Sequence, residues 1–116
     1  MPLQDWSETT LIAEMSDEPM FSEDFDSLIF RLESAGDGTP DVIVNMIGVS
    51  RLNSSNLSQL LRLRKTLIAR ERRLRICSVD EDVWSVFVVT GLDQLFDFTD
   101  DVATSLASLQ IESTQR

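Results

Sequence analysis

The residues whose types and spacing could carry chemistry lie in "RLNSSNLSQLLRLRK", Arg51 to Lys65. Two hydroxyls, Ser54 and Ser55, stand between Asn53 and Asn56, directly ahead of a leucine-rich helical run. Two readings of that placement are open. Asn and Ser side chains accept hydrogen bonds from the free N–H groups of a first helical turn, so the tetrad serves as a cap. A helix N-terminus also favours an anion, which makes a serine there a good place for a phosphate. Both can hold at once, because a capping serine already sits at the anion-friendly end.

Absences narrow the chemistry elsewhere. The chain contains no histidine, hence neither the usual general base near neutral pH nor the commonest metal ligand. GxGxxG, Walker A, CxxC and HExxH patterns do not occur. The acids could form a catalytic pair, but no spacing singles one out, and an acidic surface accounts for them. The expectation is a non-enzymatic protein with no catalytic residues, no metal and no cofactor.

Charge and composition bound the partners. A net charge of −10 argues against nucleic acid, whose binders gain affinity by neutralising phosphates. Seven of the ten bases fall between Arg62 and Arg75, whereas the first fifty residues hold eleven acids and one arginine. That strip either docks an acidic partner or is a solvated helix end whose cations suit the negative C-terminal pole. The apolar runs are too short to span a bilayer and no leader pattern opens the chain, so direct membrane insertion is not expected. Cys77 is the only cysteine, which leaves no intrachain disulfide and makes a cytoplasmic location the default. A chain of 116 residues reads as one domain able to bury a core.

The elements that must position the tetrad can be read from periodicity. "TLIAEM" (Thr10 to Met15) is a strand, followed by the acidic loop "SDEPMF". Ser22 is a candidate cap for "SEDFDSLIFRLES", where Phe25, Leu28, Ile29 and Leu32 share one helical face and Gly36 suits the stop. "DVIVNMI" reads as a strand buried on both faces, of the kind found inside a parallel sheet. The helix after the tetrad puts Leu57, Leu60, Leu61, Leu67 and Ile68 on one side, with Arg64 in the middle of that stripe. Arg64 either packs its stem and sends its guanidinium to the edge, or meets an acid. "RLRICSV" alternates as a strand. "DVWSVFVVTG" is ambiguous. Its β-branched and aromatic content favours strand, while Asp80 as cap, Glu81 and Asp82 in a first turn and Gly91 as stop favour helix. A short piece "LFDF" and a helix built on Val102, Leu106 and Leu109 complete an α/β layer fold. Val42, Ile43, Val44, Leu57, Leu61, Ile76 and Phe87 are the expected core.

Two stretches together carry a family resemblance. "DVIVNMIGVSRLNSSNLSQLLRL" resembles the central motif of STAS domains, a buried strand, a "sgV.f.DSSGL" loop and a helix. "LRICSVDEDVWSVFVVTGLDQLFDF" is similar to their later strand, helix and "tGL…lF.i" signature. The resemblance implies a single STAS-like domain over residues 1–116, core about 10–110, with a mixed, largely parallel sheet and helices packed against it. It also turns Glu81 to Thr90 into a helix. Within the family the likeness points to the bacterial anti-sigma factor antagonists. There, the serine after the motif's acid is phosphorylated by a GHKL-type partner that is both anti-sigma factor and serine kinase, and a PP2C-type phosphatase resets it.

Carried over by position, the phosphorylated residue is Ser54, with Ser55 as second choice, and the partner-binding set is Asn53, Ser54, Ser55, Asn56 and Ser58. The family's Asp is Asn53 here and its Gly is Asn56, a residue that tolerates positive φ. The acid of the family's "GELD"-like turn falls at Ser16, next to Asp17. Three functions follow for comparison. The chain is a phosphorylation-switched antagonist, or an unphosphorylated STAS interaction module serving as accessory subunit of a transporter or signalling assembly, or a two-component receiver. The receiver lacks its acceptor Asp, since the central strand offers Asn45, and Lys65 is the only lysine.

Overall fold

Strands and helices alternate along the chain in a computed structural model that describes residues 3–114. The order is β1 (Leu3–Ser7), β2 (Thr10–Ser16), α1 (Met20–Ala35), β3 (Asp41–Gly48), α2 (Ser54–Ala69), β4 (Leu74–Cys77), α3 (Glu81–Thr90), β5 (Phe98–Thr99) and α4 (Val102–Thr114). Short 3₁₀ turns follow α1 and α3. The strands form one sheet in the order β1-β2-β3-β4-β5, with β1 antiparallel to β2 and all other pairs parallel.

The continuous apolar run of β3 is what a central strand covered on both faces requires. Val42, Val44 and Met46 join Leu11, Ala13, Met15 and Ile76 on the face packed by α1, α2 and α3. Ile43 turns the other way, joining Ile12 and Cys77 under Leu109 of α4. Register keeps the layers aligned, with Val42 opposite Leu11 and Leu74, and Val44 opposite Ala13 and Ile76.

The ambiguous segment is a helix. The Asp80 carboxylate accepts from Val83 N–H at 2.8 Å, and Gly91 ends the helix at φ 76°. Val83 and Phe87 are its buried residues, and Phe87 meets Phe96 and Phe98 edge to face.

Three sequence expectations are corrected, and one strand was not anticipated. β1 was not legible, because "LQDWS" is an exposed, largely polar edge strand defined by its hairpin with β2. α1 begins at Met20, ahead of Ser22, with Pro19 at its N-cap position making no side-chain bond, so Ser22 is not the cap. β4 is shorter than its alternating pattern; the chain leaves it at Ser78, which takes φ 59°. In α2 the buried residues are Asn56, Leu60, Leu63 and Leu67, so Leu60 and Leu67 of the expected stripe face inward while its other members give way to Asn56 and Leu63. Leu57 and Leu61 are only partly buried beside the core, and Ile68 is exposed. Arg64 therefore lies at the seam's edge, its Nε donating to Leu95 O at 2.8 Å. The other expected core residues, Val42, Ile43, Val44, Ile76 and Phe87, are buried.

The basic strip divides. Arg70 donates to Leu32 O and to Thr39 Oγ1, and Arg72 to Thr9 O. Arg72 and Arg73 lie 3.2 and 3.5 Å from the buried Asp41 carboxylate, while Arg75, itself buried, pairs with Asp97 and Glu112. These four arginines staple the N-terminal edge of the sheet to its helices, so they are not a solvated helix end.

Candidate functional site

The head of α2 is built where β3 leaves the sheet. Gly48 passes so close to β2 that a Cβ there would lie 2.8 Å from Met15 O, so the turn needs a glycine. Asp17 then holds the outgoing loop. Its carboxylate accepts from Ser50 N–H (2.9 Å), Ser50 Oγ (2.6 Å) and Arg51 N–H (3.2 Å). The Ser50 hydroxyl and N–H keep the Asp17 carboxyl below its ordinary value. Asp17 thus supplies an acid one position after the expected Ser16.

The helix is then closed by its two asparagines. Asn56 N–H donates to Asn53 Oδ1 (2.8 Å) and Asn53 N–H donates to Asn56 Oδ1 (3.1 Å), a reciprocal capping box. Asn56 is helical, not at positive φ, and is buried. Its Nδ2 donates to Glu18 Oε2 and to Gln59 Oε1, each at 3.2 Å. Gln59 Nε2 reaches Ser22 Oγ at 3.0 Å, and Ser22 donates its N–H and hydroxyl to Glu18 at 2.8 and 2.6 Å. These Ser22 bonds hold the Glu18 carboxyl below its ordinary value. The heads of α1 and α2 are joined through this chain of side chains.

The consequence for the tetrad is a division of labour. Asn53 and Asn56 do the capping, so neither Ser54 nor Ser55 is needed for it. Both serines are exposed at the first two positions of the helix, and Ser58 is exposed one turn on. The N–H groups of Ser54 and Ser55 precede the intrahelical ladder. The first turn contains no acid. Asn53 is exposed beside the serines, whereas Asn56 of the expected partner-binding set lies beneath them. The sequence reading missed Asp17, Glu18, Ser22 and Gln59 as parts of this site. Only Gln59, three residues after Asn56, offered a helical-spacing signal; the acids belonged to a loop whose course no local pattern defines.

Comparison with known proteins places the chain. The sequence profile of the STAS domain matches residues 10–105, and the chain belongs to that family. No curated protein matches it in sequence. Among solved structures, an anti-sigma-factor antagonist (STAS) domain protein from Planctomyces limnophilus superposes with a TM-score of 0.78 at 16% identity, covering 93% of this chain and 97% of that one. A glutamate-substituted RsbS from Moorella thermoacetica gives 0.77 at 9% identity, covering 97% and 99%. The anti-sigma factor antagonist SpoIIAA in its unphosphorylated form gives 0.66 at 15% identity, covering 91% and 93%. At these identities the likeness defines the fold: a single α/β domain with a mixed, mostly parallel sheet.

Proposed function

We propose that this STAS domain is a cytoplasmic anti-sigma factor antagonist, which binds an anti-sigma factor of the GHKL serine-kinase type, releases the sigma factor, and is switched by phosphorylation at Ser54. Binding, not catalysis, is its activity. The observation that carries the reading is the exposed Ser54 hydroxyl at the start of α2, spared from capping by Asn53 and Asn56, in a first turn with no acid. A phosphate there adds about −1.5 to −2 charges at neutral pH, where the open N–H groups and the helix dipole stabilise an anion. The fold therefore tolerates it. Against a partner surface shaped for a neutral hydroxyl the same dianion is desolvated or mismatched, and binding weakens. Asn53, Ser55 and Ser58 form the exposed surroundings a partner would cover. A PP2C-type phosphatase resets the switch.

The test is incubation with the cognate kinase and ATP, with the phosphate mapped by mass spectrometry. The native protein and Ser55→Ala take up label; Ser54→Ala binds the kinase and stays unlabelled; Ser54→Asp folds and loses partner affinity. Full labelling of Ser54→Ala, or undiminished binding by Ser54→Asp, rejects the switch. The unswitched module, an accessory subunit of a transporter or signalling assembly, is favoured by the two asparagines standing where the family has acid and glycine. That reading requires no labelling at all.

A further inference from the structure

The proposed switch leaves the outer surface of α3 unexplained. A ten-residue helix normally hides its apolar side chains, yet α3 buries only Val83 and Phe87. Trp84 is 40% exposed, Val88 48% and Val89 85%. At 100° per residue, Trp84 and Val88 fall on one flank of the buried seam and Val89 crowns the outward side. Trp84 is packed on its inner side, because its ring stands edge-on to Phe98 with centroids 5.0 Å apart, and Phe98 in turn meets Phe87 and Phe96. An anchored aromatic beside exposed valines is the composition of an interface centre, where little entropy is left to lose on contact.

Charge says what covers it. Asp80, Glu81 and Asp82 surround the N-terminal turn of α3, Asp93 follows its C-terminus, and Asp100 lines the cleft beside Trp84. None of these five forms an ion pair among the described residues. Arg64 is committed elsewhere, its Nε donating to Leu95 O beyond the end of α3. A second copy docking through the same face would set acid against acid, and an anionic lipid surface would be repelled in the same way. We infer that the outer face of α3 is a docking surface for a protein partner that presents an apolar ridge flanked by lysine or arginine. The apolar contact supplies the affinity, and the acidic rim supplies orientation and on-rate. The proposed docking does not depend on phosphorylation of Ser54.

The experiment uses the full chain with Trp6→Phe, so that Trp84 is the only tryptophan. Three probes are titrated against its fluorescence: a helical Leu/Lys peptide with one apolar stripe, a scrambled Leu/Lys peptide of the same composition, and a Leu/Glu peptide of the same pattern. The striped Leu/Lys peptide should bind, shift Trp84 emission to the blue, and weaken as salt rises. Val89→Asp should reduce its affinity roughly tenfold or more although it adds a negative charge, which separates apolar docking from mere attraction. The Leu/Glu and scrambled peptides should bind far more weakly, and Ser54→Asp should leave the striped peptide's affinity within about twofold, small on the same scale. The inference is overturned by equal binding of the scrambled peptide or by indifference to Val89→Asp in a variant with native circular dichroism. It is equally overturned by Val89-dependent dimerisation in ultracentrifugation, or by Val89-dependent binding to phosphatidylcholine vesicles.

Discussion

α2 and α3 follow adjacent parallel strands and pack on the same face of the sheet, yet they are opposites. α2 buries an aliphatic seam, turns polar and basic residues outward, and opens on a neutral amide box with no acid in its first turn. α3 opens on Asp80, Glu81 and Asp82 and turns tryptophan and valine outward. The first turn of α3 already holds its acids; that of α2 holds none of its own and meets a carboxylate only through Asn56 Nδ2, which donates to Glu18. A first turn without an acid has room to gain one. An apolar helix ringed by acids suits a standing partner better than a switch. The roles proposed for the two helices divide regulation from recognition, and this contrast can be broken at several levels.

The largest effect separates inward from outward faces. Leu63 is completely buried in the α2 seam, and Leu63→Ala should cost about 2–5 kcal/mol in urea unfolding. Val89→Ala on α3 should stay within about ±0.5 kcal/mol, because its side chain packs against little. A large loss at Val89 would mean that the α3 valines serve folding and not docking.

The caps come next. Asn53→Ala removes the acceptor for Asn56 N–H and should destabilise by about 0.5–2 kcal/mol, as should Asp80→Ala at the head of α3. Asn53→Asp keeps an acceptor and adds an anion, so it should match or exceed the native protein by up to about 1 kcal/mol at low salt. It should also hold or improve kinase recognition. Equal destabilisation by the Ala and Asp variants would sink the account of α2 as a helix whose first turn lacks an acid.

Ser54→Asp tests the same vacancy more gently. A gain of about 0.3–1 kcal/mol at low ionic strength, fading with added salt, is expected. A clear loss would show that the first turn cannot accommodate charge.

The smallest effect is one of pH. Asp17 is depressed in the folded protein by Ser50, so its contribution is complete above the unfolded value near about 3.9 and is lost as pH falls through the lower folded value. Asp17→Asn should flatten the acid limb of the stability curve below about pH 4 and leave the limb above it unchanged. Parallel acid limbs would show that the loop is not held by this carboxylate.

The layering, the helix stops at Gly36 and Gly91, the Asp80 cap and the position of the serines are legible in the residues alone, because each rests on periodicity or a bond within one turn. The strand-or-helix conflict at Glu81 to Thr90 needed family resemblance, since propensity and capping pull oppositely there. Leu60 and Leu67 of α2 face inward as their spacing implies, but the third leucine beside them came from packing alone. Leu63 is buried where Leu57, Leu61 and Ile68, of similar apolarity, were expected, because the sheet and α1 meet that side of the helix. The same holds for the arginines of Arg70 to Arg75, whose partners Leu32, Asp41, Asp97 and Glu112 are distant in sequence. It holds too for Asp17 and Glu18, which became parts of the site because two loops meet where their strands end. Local bonds follow from local sequence; a bond between loops exists only once the sheet has aligned them.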